Sequence, residues 1–173
     1  MKHTKKIAIL LAAILSMTSF AACGNNTPDE VSVVMDCTKY NGMSTESLKS
    51  ELGEPKRIED WENETSKGAF QMQIYSYDLD ETYSEFIIYD NAVVKLRLFS
   101  NSQWQIEGSK FDNIFAMFGI TPDKSARKIV DNGITYKFSP VSDDVEEIDF
   151  YNYDKNDRTF DTVYVTYDLA YFD

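Results

Sequence analysis

The glycines of this chain recur at a fixed interval. Three of them return as a second set after 66, 66 and 65 residues, and the first two of each set lie eleven residues apart. The pairs are Gly42 with Gly108, Gly53 with Gly119, and Gly68 with Gly133. Self-similarity at a constant period is typical of a duplicated unit. The spacing therefore predicts two tandem copies of one structural unit, over residues 31–104 and 105–173.

Each copy begins with a short helical pattern. In the first copy Ser44 can cap a helix that places Leu48 and Leu52 on one face and ends at Gly53. In the second copy residues 111–118 carry an apolar face of phenylalanine and isoleucine and again end at a glycine. These two segments are predicted to be the same element.

Segments rich in aromatic and β-branched residues follow each helix, as expected for strands. The predicted strands are residues 70–77, 84–89 and 92–99 in the first copy and 134–138, 146–151 and 162–167 in the second. Residues 58–61 and 126–130 fit either a second helical turn or a first strand. The predicted class is α+β: two tandem helix-plus-antiparallel-sheet repeats form one continuous sheet, with short helices packed on one face.

The first 22 residues have the pattern of a secretory signal. A basic start with Lys2, Lys5 and Lys6 precedes an apolar run that is too short to span a bilayer well. Residues 20–23, Phe-Ala-Ala-Cys, resemble a bacterial lipobox, which implies that Cys23 is acylated and becomes the mature N-terminus. Residues 23–30 then act as a tether. The predicted location is the outer face of the bacterial cytoplasmic membrane, or the outer membrane if the host has two; plain secretion is the alternative.

The charge and the residue types exclude several functions. Without residues 1–22 the chain has 14 basic and 29 acidic residues, a net charge of −15, which repels nucleic acid and anionic lipid. The single histidine, His3, lies in the signal, so catalysis by Ser-His-Asp or Cys-His and the usual zinc sites are excluded. We expect no cofactor, no metal and no enzymatic activity. A carboxylate pair that hydrolyses cell-wall glycans is the alternative.

Cys37 is the second of the two cysteines. If Cys23 carries lipid, Cys37 has no partner for a disulfide, and the mature chain has no histidine to activate its thiol. We therefore expect a small buried hydrophobic side chain. A Cys23–Cys37 disulfide can form only in protein that is not lipidated at Cys23.

The first copy also resembles a known family. Residues 42–44, Gly-Met-Ser, precede a helix that ends in Leu-Gly-Glu-Pro at residues 52–55, and Trp61 and an aromatic strand at residues 74–77 follow. This pattern resembles the SmpA/OmlA (BamE-like) small lipoproteins and, doubled, the β-lactamase-inhibitor-protein fold. The resemblance implies helices on one face of an antiparallel sheet and an open face that binds a protein. A β-lactamase is one candidate among many.

Alternation along the predicted strands assigns residues to that open face. If residues such as Met72, Ile74, Leu96 and Ile148 point toward the helices, their neighbours point away from them. The predicted protein-binding residues are Tyr75, Tyr77, Lys95, Arg97, Phe99, Tyr151, Tyr153 and Tyr164. Tyr, Phe and Arg are enriched at protein interfaces, although tyrosine also suits strands for packing reasons alone. The expected function is non-catalytic binding of an envelope or secreted protein, for example as an inhibitor of that protein.

Overall fold

One antiparallel sheet dominates the computed structural model, which describes residues 31–108 and 110–172. Its eight strands are β1 (Arg57–Thr65), β2 (Gly68–Leu79), β3 (Thr82–Tyr89), β4 (Ala92–Gln105), β5 (Lys128–Asp131), β6 (Thr135–Phe138), β7 (Glu147–Tyr151) and β8 (Thr159–Thr166). Their order across the sheet is β1-β2-β3-β4-β8-β7-β6-β5. The predicted signal peptide, the predicted lipidation at Cys23 and the tether lie outside the described residues.

Two short α-helices accompany the sheet, α1 (Thr45–Leu52) and α2 (Asn113–Ala116). The Ser44 hydroxyl accepts a hydrogen bond from the Ser47 N–H at 3.2 Å and caps α1, as its position predicts. Gly53 ends α1 by donating its N–H to the Lys49 carbonyl. Single 3₁₀ turns lie at Thr38–Tyr40 and Leu169–Tyr171.

The predicted α+β class with a helical layer is wrong. The α-helices have eight and four residues, whereas β4 alone has 14. Both ambiguous segments, 58–61 and 126–130, contribute to strands, β1 and β5 respectively. The second apolar segment, 111–118, forms only four helical residues between turns. What packs on the sheet is therefore two short helices with turns and loops, not a helical layer, and the protein is mainly β.

The strands form two meanders that meet in the middle of the sheet. Strands β1 to β4 pair in chain order, and so do β5 to β8. The meanders join where β4 pairs with β8, with Leu96 opposite Val165 and Leu98 opposite Val163. The proposed boundary at residues 104 and 105 falls at the end of β4. A short helix precedes each meander, so both halves have the same order of elements.

The main core lies on the face of the sheet that carries α1 and α2. Leu48 of α1 and Phe115 of α2 pack there against strand residues of both halves, including Phe86 and Phe150. A smaller cluster of Met72, Ile87 and Val94 lies on the opposite face. We call that opposite face the open face.

Cys37 lies in the main core, fully buried, in agreement with the expected hydrophobic role. Its carbonyl accepts a hydrogen bond of 2.7 Å from the Tyr167 hydroxyl, and its N–H donates to the Phe118 carbonyl. Burial raises the pKa of the thiol far above its ordinary value, so the reactive thiolate is suppressed. This N-terminal segment therefore ties the two halves together.

Candidate functional site

The C-terminal segment covers one half of the open face. The Tyr171 ring lies 4.4 Å from that of Tyr89 and 5.3 Å from that of Phe70. Phe172 stacks on Trp61 at 6.4 Å between ring centroids. Asn63 Nδ2 donates a hydrogen bond of 2.6 Å to the Tyr171 carbonyl. The smaller apolar cluster is thus shielded by residues 171 and 172.

The other half of the open face carries a group of charged and polar side chains that we call the polar patch. Its members are Glu85, Lys95, Arg97, Lys137, Glu147, Asp149 and Thr166. Strand register brings them together: Glu85 faces Arg97, Arg97 faces Tyr164, Tyr164 faces Asp149, and Asp149 faces Lys137. Lys95 and Glu147 both face Thr166. One row of alternating charge therefore crosses five strands.

Arg97 lies at the centre of that row. Its guanidinium lies over two rings, 5.1 Å from the Trp61 centroid and 5.4 Å from the Tyr164 centroid. The Nη1 atom lies 3.5 Å from Glu85 Oε2, and Nε is buried without a hydrogen-bond partner among the described residues. Because the aromatic contacts hold the side chain in place, its unused Nε–H is fixed as a donor.

Two carboxylates share one ammonium at the β6–β7 pair. Lys137 Nζ lies 2.8 Å from Glu147 Oε1 and 3.3 Å from Asp149 Oδ1. The Oδ1 contact lacks hydrogen-bond geometry, so this buried atom has no hydrogen-bond partner in the described part of the chain. Burial raises the pKa of Asp149 to about 6, because the nearby lysine compensates desolvation only in part. Asp149 is therefore a carboxylate that a proton or a donor would stabilise.

Lys95 is held between aromatic rings rather than in an ion pair. Its Nζ lies 4.6 Å from the Phe172 centroid and 5.6 Å from the Tyr164 centroid, and no carboxylate of the described residues lies within ion-pair distance. Burial lowers the pKa of Lys95 to about 8. Beside it the Thr166 hydroxyl is fully buried and has no partner among residues 31–108 and 110–172.

Four half-buried aromatic rings border the polar patch and form what we call the aromatic strip: Tyr83, Phe99, Tyr164 and Tyr151. Successive ring centroids are 5.9, 5.9 and 4.9 Å apart, across β3, β4, β8 and β7. The rings are inclined to one another by 38°, 72° and 57°. They form an uneven ridge with gaps between edges, a shape suited to side chains more than to a flat sugar ring.

The predicted binding residues divide into two groups. Five of them lie on the open face as predicted: Lys95, Arg97, Phe99, Tyr151 and Tyr164. The other three, Tyr75, Tyr77 and Tyr153, are buried in the main core with 7%, 3% and 5% of their surface exposed. For these three the predicted outward orientation is wrong.

The assignment fails on β2 because both faces of that strand are buried. Tyr75 and Tyr77 point to the side of α1, and the Tyr77 hydroxyl donates to the Gly53 carbonyl at 3.3 Å. Met72 and Ile74 point to the open face, under the C-terminal segment. Tyr153 fails for a different reason: Asn152 has a φ of 57°, which breaks the alternation and turns the next side chain inward.

Several residues of the patch were missed by sequence reasoning. Lys137, Glu147 and Asp149 have no distinctive local motif, since acidic residues are abundant throughout the chain. The available signal was their alternation with buried Ile148 and Phe150 on β7, which puts Glu147 and Asp149 together on the opposite face. These residues are buried because β8 pairs with both β4 and β7, and the local sequence pattern does not reveal that pairing.

Two larger clefts of the molecule lie away from the polar patch. The cavities beside the N-terminal segment have volumes of about 650 and 620 Å³ and share Val34, Glu81 and Trp104 in their lining. Neither is lined by a residue of the polar patch. Within the described residues, no group of three or more potential metal ligands is found. No helix in that same part of the chain has the length and apolarity to cross a bilayer.

Comparison with known proteins gives limited likenesses. No family model and no curated protein matches the chain, so the resemblance to the SmpA/OmlA family stays an expectation. A cysteine-rich secretory protein from Staphylococcus aureus subsp. aureus Mu50 is 12% identical with a TM-score of 0.47, over 82% of this chain and 49% of that chain. An extracellular protein containing an SCP domain, from Bacillus anthracis str. Ames, is 15% identical with a TM-score of 0.44, over 90% and 52%.

The chain thus spans about half the length of each of these structures. Likenesses of this degree carry no argument about activity.

Proposed function

We propose that the chain is an exported, lipid-anchored domain that binds another protein of the cell envelope, without catalysis, through the uncovered half of its open face. The observation that supports this is the aromatic strip beside the polar patch. Interface residues that contribute most to binding are commonly Tyr, Trp and Arg set in partly desolvated surroundings. Here Arg97 lies over the rings of Trp61 and Tyr164, and Tyr151 packs against Tyr164.

The unpaired polar atoms of the patch support the same proposal. Arg97 Nε, Asp149 Oδ1 and Thr166 Oγ1 are buried, and no described residue hydrogen-bonds them. Buried polar groups are normally satisfied, and leaving one unpaired is destabilising. A partner that covers this face with its own donors and acceptors supplies the missing hydrogen bonds.

The test is site-specific photo-crosslinking in the native host. A photoreactive residue at position 164 is expected to capture one protein, and Arg97→Ala is expected to reduce that capture at least tenfold. The control is the same probe at position 134, because Ile134 is 63% exposed in the β5–β6 turn, away from the patch. Equal capture from both positions, or capture unaffected by Arg97→Ala, contradicts the proposal.

Membrane anchoring is tested separately at Cys23. Cys23→Ala is expected to move the protein from the membrane fraction to the soluble fraction, because the acyl chains are attached to that thiol. Cys37→Ala is the matched control and leaves the protein in the membrane fraction. A wild-type protein that is soluble and carries no acyl chain contradicts the anchor while leaving the binding proposal untouched.

A hydrolase is the second candidate, favoured by the two carboxylates of β7. Glu147 and Asp149 contact the same Lys137 Nζ at 2.8 and 3.3 Å, so the two contacting oxygens are at most about 6 Å apart. Retaining glycosidases hold their carboxyl groups about 5 to 5.5 Å apart, with a raised pKa on the acid. These carboxylates line neither of the large clefts, so binding is the better proposal. Release of sugar from cell-wall glycan by the wild type, abolished by Asp149→Asn, would favour the enzyme.

A further inference from the structure

A small pocket opens on the open face, near the start of β1 and beside the Tyr83 end of the aromatic strip. Its volume is about 350 Å³, and it is lined by Lys56, Arg57, Ser76 and Tyr83. These side chains offer an ammonium, a guanidinium and the Ser76 hydroxyl, whereas the Tyr83 hydroxyl donates to Glu85 Oε1 at 3.3 Å. No carboxylate of the described residues lines it. In a chain with 29 acidic and 17 basic residues, a lining composed of hydrogen-bond donors is a local exception.

Ser76 is the feature of this pocket that internal contacts leave unexplained. The residue is 1% exposed, and its Oγ has no hydrogen-bond partner in the described part of the chain. It lies between Arg57 and Glu85 in the strand register, on the row of the open face. A hydroxyl group rotates freely and can donate to whatever enters the pocket.

The two cations of the pocket are available to a ligand. Lys56 pairs with Asp78, and Arg57 Nη2 lies 3.0 Å from Glu59 Oε2. All four side chains are about half exposed, and exposed ion pairs contribute little stability. Arg57 Nη2 also donates to the Tyr83 hydroxyl at 3.3 Å, which directs the guanidinium toward the pocket. Exchanging either carboxylate for a ligand oxygen therefore costs little.

We propose that this pocket is an oxyanion site, which binds a carboxylate or phosphate group through Arg57, Lys56 and the Ser76 hydroxyl. The planar guanidinium fork matches both groups, since each presents two oxygens to it. Ser76 supplies a buried donor that an exposed pair of cations lacks. The proposal goes beyond the envelope partner, because it concerns a small ligand group; the pocket shares Tyr83 with the aromatic strip, and Ser76 lies opposite Glu85 of the polar patch.

The experiment is an amide NMR titration of the full chain at constant ionic strength, with sodium phosphate, sodium acetate and sodium chloride in separate series. We expect saturable shifts at Ser76 and Tyr83 with phosphate, with acetate or with both, and none with chloride. Saturation by phosphate alone identifies a phosphate ligand, whereas saturation by acetate alone identifies a carboxylate ligand. Absence of saturation with both oxyanions overturns the proposal.

Two variants distinguish binding at this pocket from non-specific attraction of anions to basic residues. Arg57→Gln is expected to weaken the saturating oxyanion about tenfold, as for loss of a charge-assisted contact, and Ser76→Ala about fivefold, as for loss of one neutral hydrogen bond. Lys124→Gln removes a charge from an exposed lysine away from the pocket and serves as the control. The same spectra show whether each variant is folded. Unchanged affinity in both Arg57→Gln and Ser76→Ala overturns the site.

Discussion

Asp149 is a carboxylate that water reaches very little, with about 1% of its surface exposed. Burial raises its pKa to about 6 from an ordinary value of 3.8, so the folded state holds its proton more tightly than the unfolded state does. A raised pKa of this kind favours folding at low pH, and the contribution is lost as the pH rises through about 6. At neutral pH the charge at this position therefore destabilises the fold.

Asp149→Asn is accordingly expected to raise the free energy of unfolding at pH 7.5 by about 1 to 3 kcal/mol. The gain should shrink as the pH falls from 6 toward 4, where the native carboxyl group is already neutral. Urea unfolding at pH 4.5, 6 and 7.5 measures it, with the exposed Asp144→Asn as the control. A variant less stable than the wild type at pH 7.5 would show that the contact with Lys137 outweighs desolvation.

Gly119 combines two requirements at one residue. Its φ is +68°, and a Cβ there would lie 2.7 Å from Asp36 Oδ1 and 3.0 Å from Asp36 Cα. Gly42 has nearly the same φ, +65°, but nothing within 4 Å of its Cβ position. The left-handed conformation costs an alanine about 1 to 2 kcal/mol at either site. Only Gly119→Ala must also push the N-terminal segment away.

We therefore expect Gly119→Ala to destabilise the protein more than Gly42→Ala does, with a difference above about 1 kcal/mol because backbone must move. Thermal unfolding of both variants under the same conditions provides the measurement. Equal losses of stability in the two variants would mean that Asp36 moves away without cost and that its closeness to Gly119 does not affect stability.

Among the elements, α1 was predictable and the face of β2 was not. Ser44 caps α1, Leu48 forms its buried face and Gly53 ends it. All three roles depend on neighbouring residues in the chain, so the sequence predicts them. The second face of β2 carries Met72 and Ile74 and is buried by residues 171 and 172, almost a hundred positions away in the chain. Alternation of apolar and polar residues distinguishes the two faces of a strand only when one face is exposed to solvent.

Leu48 anchors α1 to the sheet and is fully buried. Leu48→Ala is expected to lower the free energy of unfolding by roughly 2 to 5 kcal/mol, since it leaves a cavity between helix and sheet. Glu46→Ala on the exposed side of α1 serves as the control and should change stability little. Chemical denaturation measures both. Equal effects of the two substitutions would show that α1 contributes little to the core.

The C-terminal segment should behave as a cover over Trp61. Phe172→Ala removes the ring stacked on the indole, so the Trp61 emission is expected to shift to longer wavelength with a loss of about 1 kcal/mol in stability. Phe111→Ala, on the other side of the sheet, is the control and leaves that emission unchanged. An unshifted spectrum in Phe172→Ala would mean that the segment does not shield the cluster in solution.

At the scale of the whole molecule, the two halves share one core. Residues of the first meander, such as Phe86, and of the second, such as Phe150, belong to the same buried cluster. A half of about 70 residues buries too little surface to be more than marginally stable alone. The glycine spacing predicts two repeated units, but it does not predict the junction between β4 and β8, because pairing between distant strands leaves no local signature.

The two tryptophans allow a direct test of this coupling. Trp61 lies in β1, whereas Trp104 contacts Phe118 and Phe160 of the second half. In each single-tryptophan variant, Trp61→Phe and Trp104→Phe, we expect the fluorescence midpoint in urea to coincide with that of far-ultraviolet circular dichroism. Separated midpoints would show that one half unfolds before the other.

Strand β1 forms one border of the sheet, and no described strand pairs with its outer side. Such a border can pair with the same border of a second molecule and join the two sheets edge to edge in a dimer. Glu59, Asp60, Glu62 and Glu64 lie along it, so two copies approaching edge to edge would place four carboxylates against four. This repulsion disfavours edge-to-edge pairing of two copies, and replacing these acids with neutral residues should promote a dimer joined through β1.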